Sequence, residues 1–84
     1  MVRITKRNLK EKEERVNELL KSISLRVSFR YDYATIDVYS KFGDFIDTLT
    51  VVFTNKQAYD ILDSIEKVLK LEQELLGEEQ EEDL

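Results

Sequence analysis

The 84 residues predict an α+β domain of order α-β-β-β-α, a three-stranded antiparallel sheet packed by two helices. Two observations carry that expectation. Segments with helical apolar spacing stand behind capping signals near both ends of the chain, while the middle switches to a period of two. The connections within the middle are also too short for anything but antiparallel hairpins.

At the first helix, Thr5 or Asn8 can cap by accepting a backbone N–H, and Asn8 with Glu11 has capping-box spacing. Asn8 is the better start electrostatically, because Lys6 and Arg7 would otherwise face the positive end of the helix dipole. Leu9, Val16, Leu19, Leu20 and Ile23 form the apolar stripe, which is thin early on because Lys12 and Glu13 occupy the intermediate positions. Fraying of the first turns is therefore expected.

Leu25, Val27, Phe29 and Tyr31 alternate with Arg26, Ser28 and Arg30, the mark of a strand with one buried face. Asp32-Tyr33 turns the chain, and Ala34, Ile36 and Val38 begin a second alternation. Lys41-Phe42-Gly43-Asp44 supplies the glycine that a tight hairpin uses for positive φ, and Phe45–Phe53 is β-branched and aromatic enough for a third strand. In that strand Phe45, Leu49, Val51 and Phe53 share one face with Asp47, while Ile46, Thr48, Thr50 and Val52 share the other. Neither face is purely polar, so part of the outer sheet face is expected to be covered by chain or by a partner subunit.

Thr54 with Gln57 is a second capping box. It opens the strongest helical pattern, through Ala58, Ile61, Leu62, Ile65, Val68, Leu69, Leu75 and Leu76. Gly77 is expected to end this helix as a left-handed residue. The predicted organisation is thus one domain over 1–77 and a disordered acidic tail over 78–84.

A chain of this length holds one core, which rarely supplies more than roughly 3–5 kcal/mol unaided. With no cysteine and no histidine, disulfides and the usual zinc ligands are excluded, and self-association, most simply as a homodimer, is the remaining source of stability. No long apolar run and no basic-then-apolar leader stands in the sequence, so a cytoplasmic protein without membrane contact is expected. Charge is split: residues 1–30 hold nine Lys/Arg against four Glu, and residues 31–84 hold four Lys against fourteen Asp/Glu.

The same missing residue types remove the commonest general bases, nucleophiles and transition-metal ligands, so neither catalysis nor a cofactor is expected. Asp37 and Asp47 on adjacent strands are the one carboxylate pair placed to meet on a rigid surface. Cross-strand pairing of Asp37 with Arg26 or Arg30 is much the commoner role for such a residue. Two acids near Gly43 fall short of the converging oxygens a calcium loop needs.

The helix, three strands, helix order is shared with double-stranded-RNA-binding domains. Those domains, however, track phosphates with a basic second helix, which here begins with Lys56 amid Asp60 and Asp63. Basic residues instead gather on the first helix and first strand. The candidate basic face is Lys6, Arg7, Lys10, Arg15, Arg26 and Arg30, interleaved with Glu, a pattern that fits a solvated, ion-paired face better than a phosphate-binding one. Tyr33, Tyr39 and Phe42 fall on turns or the outer face, and with Ile46 and Val52 they make the candidate protein interface.

Two segments, Ile4-Thr5-Lys6-Arg7-Asn8-Leu9 with Arg15-Val16-Asn17-Glu18-Leu19, and Phe53 through Leu62, resemble the start and end of small uncharacterised accessory proteins of phage and prophage genomes. Tyr31-Asp32-Tyr33-Ala34 stands where those proteins usually carry a Tyr-Gly-Gly turn. The resemblance implies a mobile-element accessory protein that acts by binding a protein partner. A second likeness, to small acidic phage inhibitors of host defence nucleases, rests on topology and the acidic terminus.

Overall fold

The computed structural model describes the backbone of residues 3–82 and the side chains of residues 3–77. Helix α1 (Lys6–Leu19) is followed by β1 (Ile23–Phe29), β2 (Ala34–Ser40), β3 (Phe45–Val52) and α2 (Asn55–Glu82). The strands form one antiparallel sheet in the order β1-β2-β3, as the two short connections require. Ser40 organises the second hairpin: its carbonyl accepts Gly43 N–H, its hydroxyl accepts the N–H groups of Phe42 and Asp44, and Gly43 takes φ +93°.

Both helices begin at threonine. Thr5 is the N-cap of α1, its hydroxyl accepting Asn8 N–H while Asn8 Oδ1 accepts Thr5 N–H, both at 3.1 Å. Asn8 is therefore the reciprocal partner three residues on and not the cap. Closing both orphan donors outweighs the unfavourable placement of Lys6 and Arg7 near the dipole. At α2, Thr54 accepts Gln57 N–H at 3.1 Å, but the Gln57 side chain reaches one residue further back, to Phe53 N–H at 2.8 Å.

The expected stop at Gly77 is not observed. The helix runs on to Glu82, and Gly77 has no positive φ. The residues behind it are mostly glutamate and glutamine, good helix formers, and one interior glycine costs a helix only roughly 1 kcal/mol relative to alanine. Of the acidic tail expected over 78–84, the backbone of 78–82 is thus helical, and the rest lies outside the described residues.

One face of the sheet and both helices enclose the core of Leu9, Val16, Leu25, Val27, Ala34, Ile36, Val52, Ala58 and Leu62. Complete burial of Leu9 and Val16 shows α1 docked along its length, so its first turns are not frayed. Helix α1 lies against β1 and α2, whereas α2 touches β3 only lightly. With 28 residues α2 is about 42 Å long against roughly 25 Å for the strands, so its distal turns outrun the sheet and the molecule measures 54 × 36 × 18 Å.

Candidate functional site

Two features of the folded chain are not needed to satisfy a small α+β domain: a buried ionic cluster between the helices and a broad exposed apolar surface. Lys12 lies in the apolar stripe, three residues after Leu9 and four before Val16, and is 4% exposed. Its ammonium donates to Asp63 Oδ1 and Glu66 Oε1, both at 2.7 Å, and sits 4.9 Å from the centre of the Tyr59 ring. Burial pulls the Lys12 pKa down, but the hydrogen bonds to Asp63 and Glu66 outweigh it and leave the group above its usual 10.5. The same hydrogen bonds hold both carboxyls below their ordinary range. Arg15 Nε at 3.4 Å and Lys70 Nζ at 3.9 Å add positive charge around Glu66 Oε2, which makes no hydrogen bond of its own. This cluster locks α1 to α2. Lysine within an apolar stripe, matched by two acids three apart on the other helix, is the pattern that reveals it in sequence.

The lock places α1 so that its side chains finish the free edge of β1. Asn17 Oδ1 accepts Leu25 N–H at 2.8 Å and Asn17 Nδ2 donates to Leu25 C=O at 2.9 Å. Glu13 Oε2 accepts Val27 N–H at 3.2 Å. An amide side chain here substitutes for a neighbouring strand, and the edge is closed. Glu13, which at the level of sequence only thins the apolar stripe, is one of the two residues that do this.

The other edge differs. Strand β3 contains no Lys, Arg or Pro and a single acid, Asp47, and its register against β2 shifts twice, leaving Leu49 and Ile46 as bulge residues. Phe45, Ile46, Leu49 and Val51 are each about half exposed. On α2, the flank turned away from the Lys12 cluster carries Ile61, Val68 and Leu75 at seven-residue spacing, with Val68 and Leu75 more than half exposed. Phe45 and Val51 pair with Tyr39 and Thr35 on the outer face of the sheet, so the exposed apolar side chains of β3 and those of α2 lie on different faces of the molecule.

The five residues of the predicted interface do not form one patch. Ile46 lies on this edge, Phe42 is exposed at the hairpin tip, and Tyr39 on the outer face packs edge-on against Phe45 at 5.8 Å, with Arg26 4.8 Å above its ring. Tyr33 is at the opposite end of the sheet, lining a cavity of about 280 Å³ with Phe29, Tyr31 and Phe53. Val52 is a correction: it pairs with Ala34, packs into the core and is 3% exposed. Pairing with Ala34 sets the parity of β3 at that end, so Val51 and not Val52 faces out. Leu49, Val51 and the α2 flank were not anticipated as surface, although an apolar stripe wider than one helix partner can cover was legible in α2.

The basic residues are dispersed as well. Arg7 pairs with Glu11 at 3.6 Å, Arg15 turns to Glu66, and Lys6 lies 4.6 Å from the Phe29 ring centre. Lys6, Lys10 and Arg26 share a cleft of about 300 Å³ with Glu13, whereas Arg30 lines the cavity beside Tyr33. Asp37 accepts from Ser28 Oγ at 2.9 Å and Thr48 Oγ1 at 3.0 Å across three strands and makes no ion pair with Arg26 or Arg30. Asp47 pairs with Val38, one register step along, so the two carboxylates fall on opposite faces of the sheet and do not meet. Among the described residues no group of three potential metal ligands converges, and no helix is long and apolar enough to cross a membrane. In comparisons with known proteins, no family model matches this chain, and neither does any curated protein or solved structure.

Proposed function

We propose that this chain is a non-enzymatic, protein-binding accessory domain that acts in the cytoplasm and self-associates. The observation that carries the reading is the half-exposed apolar side chains of β3, Phe45, Ile46, Leu49 and Val51, with Val68 and Leu75 exposed on α2. Exposed large apolar side chains gathered on one strand are a feature of surfaces that meet a partner. The resemblance of the two terminal segments to phage and prophage accessory proteins favours a role in a mobile element. Nucleic-acid binding has less support, because Arg7 and Arg15 are engaged by carboxylates and the remaining cations share their cleft with Glu13.

The test is a tagged pull-down from bacterial lysate, with and without nuclease, using the wild type and Leu49→Lys. Protein retained in both arms and lost in the variant is the expected result. Material that disappears on nuclease treatment would transfer the function to the basic first helix and overturn the proposal.

A further inference from the structure

We propose that the cavity of about 280 Å³ beside the β1–β2 turn binds a small aromatic monocarboxylate, its ring against the apolar interior and its carboxylate between Lys6 and Arg30. The proposal goes beyond the protein-binding reading and does not rest on it, since none of the half-exposed side chains of β3 or α2 lines this cavity.

Its first support is the interior. Leu9, Val27, Ala34, Val52 and Ala58, all members of the buried core, line the cavity. Two of them are alanines: Ala34 pairs with Phe29 on one side and Val52 on the other, whereas the next inward residue of β2 is Ile36, and Ala58 lies in the first turn of α2. A larger aliphatic residue at either position would take up the space. The chain leaves it open although a small core can least spare the packing.

The walls are the second support. Phe29 and Tyr33 are 44% and 41% exposed and Phe53 is 70% exposed, so three rings border an apolar recess and offer a flat guest their edges and faces. The bond from Arg30 N–H to the Tyr33 carbonyl at 2.8 Å closes the turn that sets two of the lining residues in place. The volume is just below the roughly 300 Å³ at which ligand pockets begin, which limits the guest to about one ring and a short acid arm.

Charge decides the sign of the ligand. Lys6, Arg30 and Asp32 are the charged residues of the lining, two cations against one carboxylate, which leaves one positive charge to be met. Among the described residues neither Lys6 nor Arg30 forms an ion pair; Lys6 rests 4.6 Å from the centre of the Phe29 ring. Both helices also start here, tied by the bond from Asn55 Nδ2 to the Ile4 carbonyl at 3.0 Å, and neither carries an acid in its first turn. Lys6 is unfavourably placed for its own helix and well placed for an anion. A phosphate, with up to two charges and a need for several converging donors, suits the lining less well, because the Asn8 and Gln57 amides are already taken by Thr5 and Thr54.

The test is an amide-resolved NMR titration of the full chain with 3-phenylpropionate, its neutral amide and acetate, each to about 10 mM. Signals of Ala34, Phe53, Asn55 and Ala58 are expected to move together with 3-phenylpropionate, and the amide and acetate are each expected to bind at least tenfold more weakly. Lys6→Gln and Arg30→Gln, at exposed positions, should each weaken binding about tenfold by removing a charged donor. Asp32→Asn should strengthen it, an opposite sign that a merely structural role would not produce. Arg7→Gln, whose arginine pairs with Glu11 outside the cavity, should leave it unchanged. No movement of these signals at the highest concentration, equal binding of the neutral amide, equal binding of acetate, or indifference to both Lys6→Gln and Arg30→Gln would overturn the proposal.

Discussion

At β1 the outward backbone groups of Leu25 and Val27 end on Asn17 and Glu13, while at β3 a strand of similar length leaves Phe45, Ile46, Leu49 and Val51 half in water. The difference follows from how the helices are held. Lys12 binds α1 to α2 through Asp63 and Glu66, and α1 lies beside β1, while α2 touches β3 only lightly. One buried amine thereby helps to hold in place the helix that finishes the β1 edge.

The largest expected effect comes from removing that anchor. Lys12→Met should destabilise the domain by about 3 kcal/mol, toward the low end for breaking a buried pair because Glu66 keeps Arg15 nearby. Denaturant unfolding measures it, and a loss below about 1 kcal/mol would mean that α1 is held by packing alone. The pH dependence separates the two ends of the cluster. Asp63 and Glu66 lie below their usual 3.8 and 4.5, so their contribution is complete above about pH 4.5 and is lost as the pH falls through the lowered values. Lys12 lies above 10.5, so its contribution is complete below that pH and is lost as the pH rises through the raised value. In Lys12→Met both limbs should flatten.

Opening the closed edge ranks next. Asn17→Ala strips Leu25 of a donor and an acceptor and is expected to cost about 2 kcal/mol. Hydrogen exchange should show the Leu25 amide losing protection first, since Val27 keeps Glu13. Unchanged exchange at Leu25 would show that Asn17 does not close this edge in solution.

Gly77→Ala tests how far the open side extends along α2. In a helix interior, with space around the added methyl, the substitution should stabilise by about 0.5–1 kcal/mol. Destabilisation would restore Gly77 as a left-handed helix end. The smallest effect is expected at β3 itself. For dilute protein, Leu49→Lys should shift stability by no more than about 0.5 kcal/mol, since the side chain has little of the domain to leave. A large loss would place Leu49 in the monomer core.

Much of this architecture was legible in the sequence because it rests on local signals. The periods of Leu25–Val27 and Ala34–Val38, the glycine at position 43 and the threonines at positions 5 and 54 each act within a few residues. What was not legible depends on distance. The cluster around Lys12 joins residues more than fifty positions apart, so the lysine alone reads as a defect in a stripe. The register shifts at Leu49 and Ile46 arise from pairing with β2, and so does the inward face of Val52, which its pairing with Ala34 fixes. Helix continuation past Gly77 reflects a balance of weak propensities in which one strong signal was outweighed. For the candidate surface, the five residues singled out from sequence located the hairpin but not the α2 flank, whose exposure depends on where α1 docks.

Closure of β1 also limits what the sheet can build. Along that edge the N–H and C=O of Leu25 and the N–H of Val27 are already engaged by a carboxamide and a carboxylate, which offer an added strand no ladder there. Edge-to-edge growth through β1 is therefore blocked, and a domain with so apolar a strand is spared the open-ended polymerisation that two bare edges would permit.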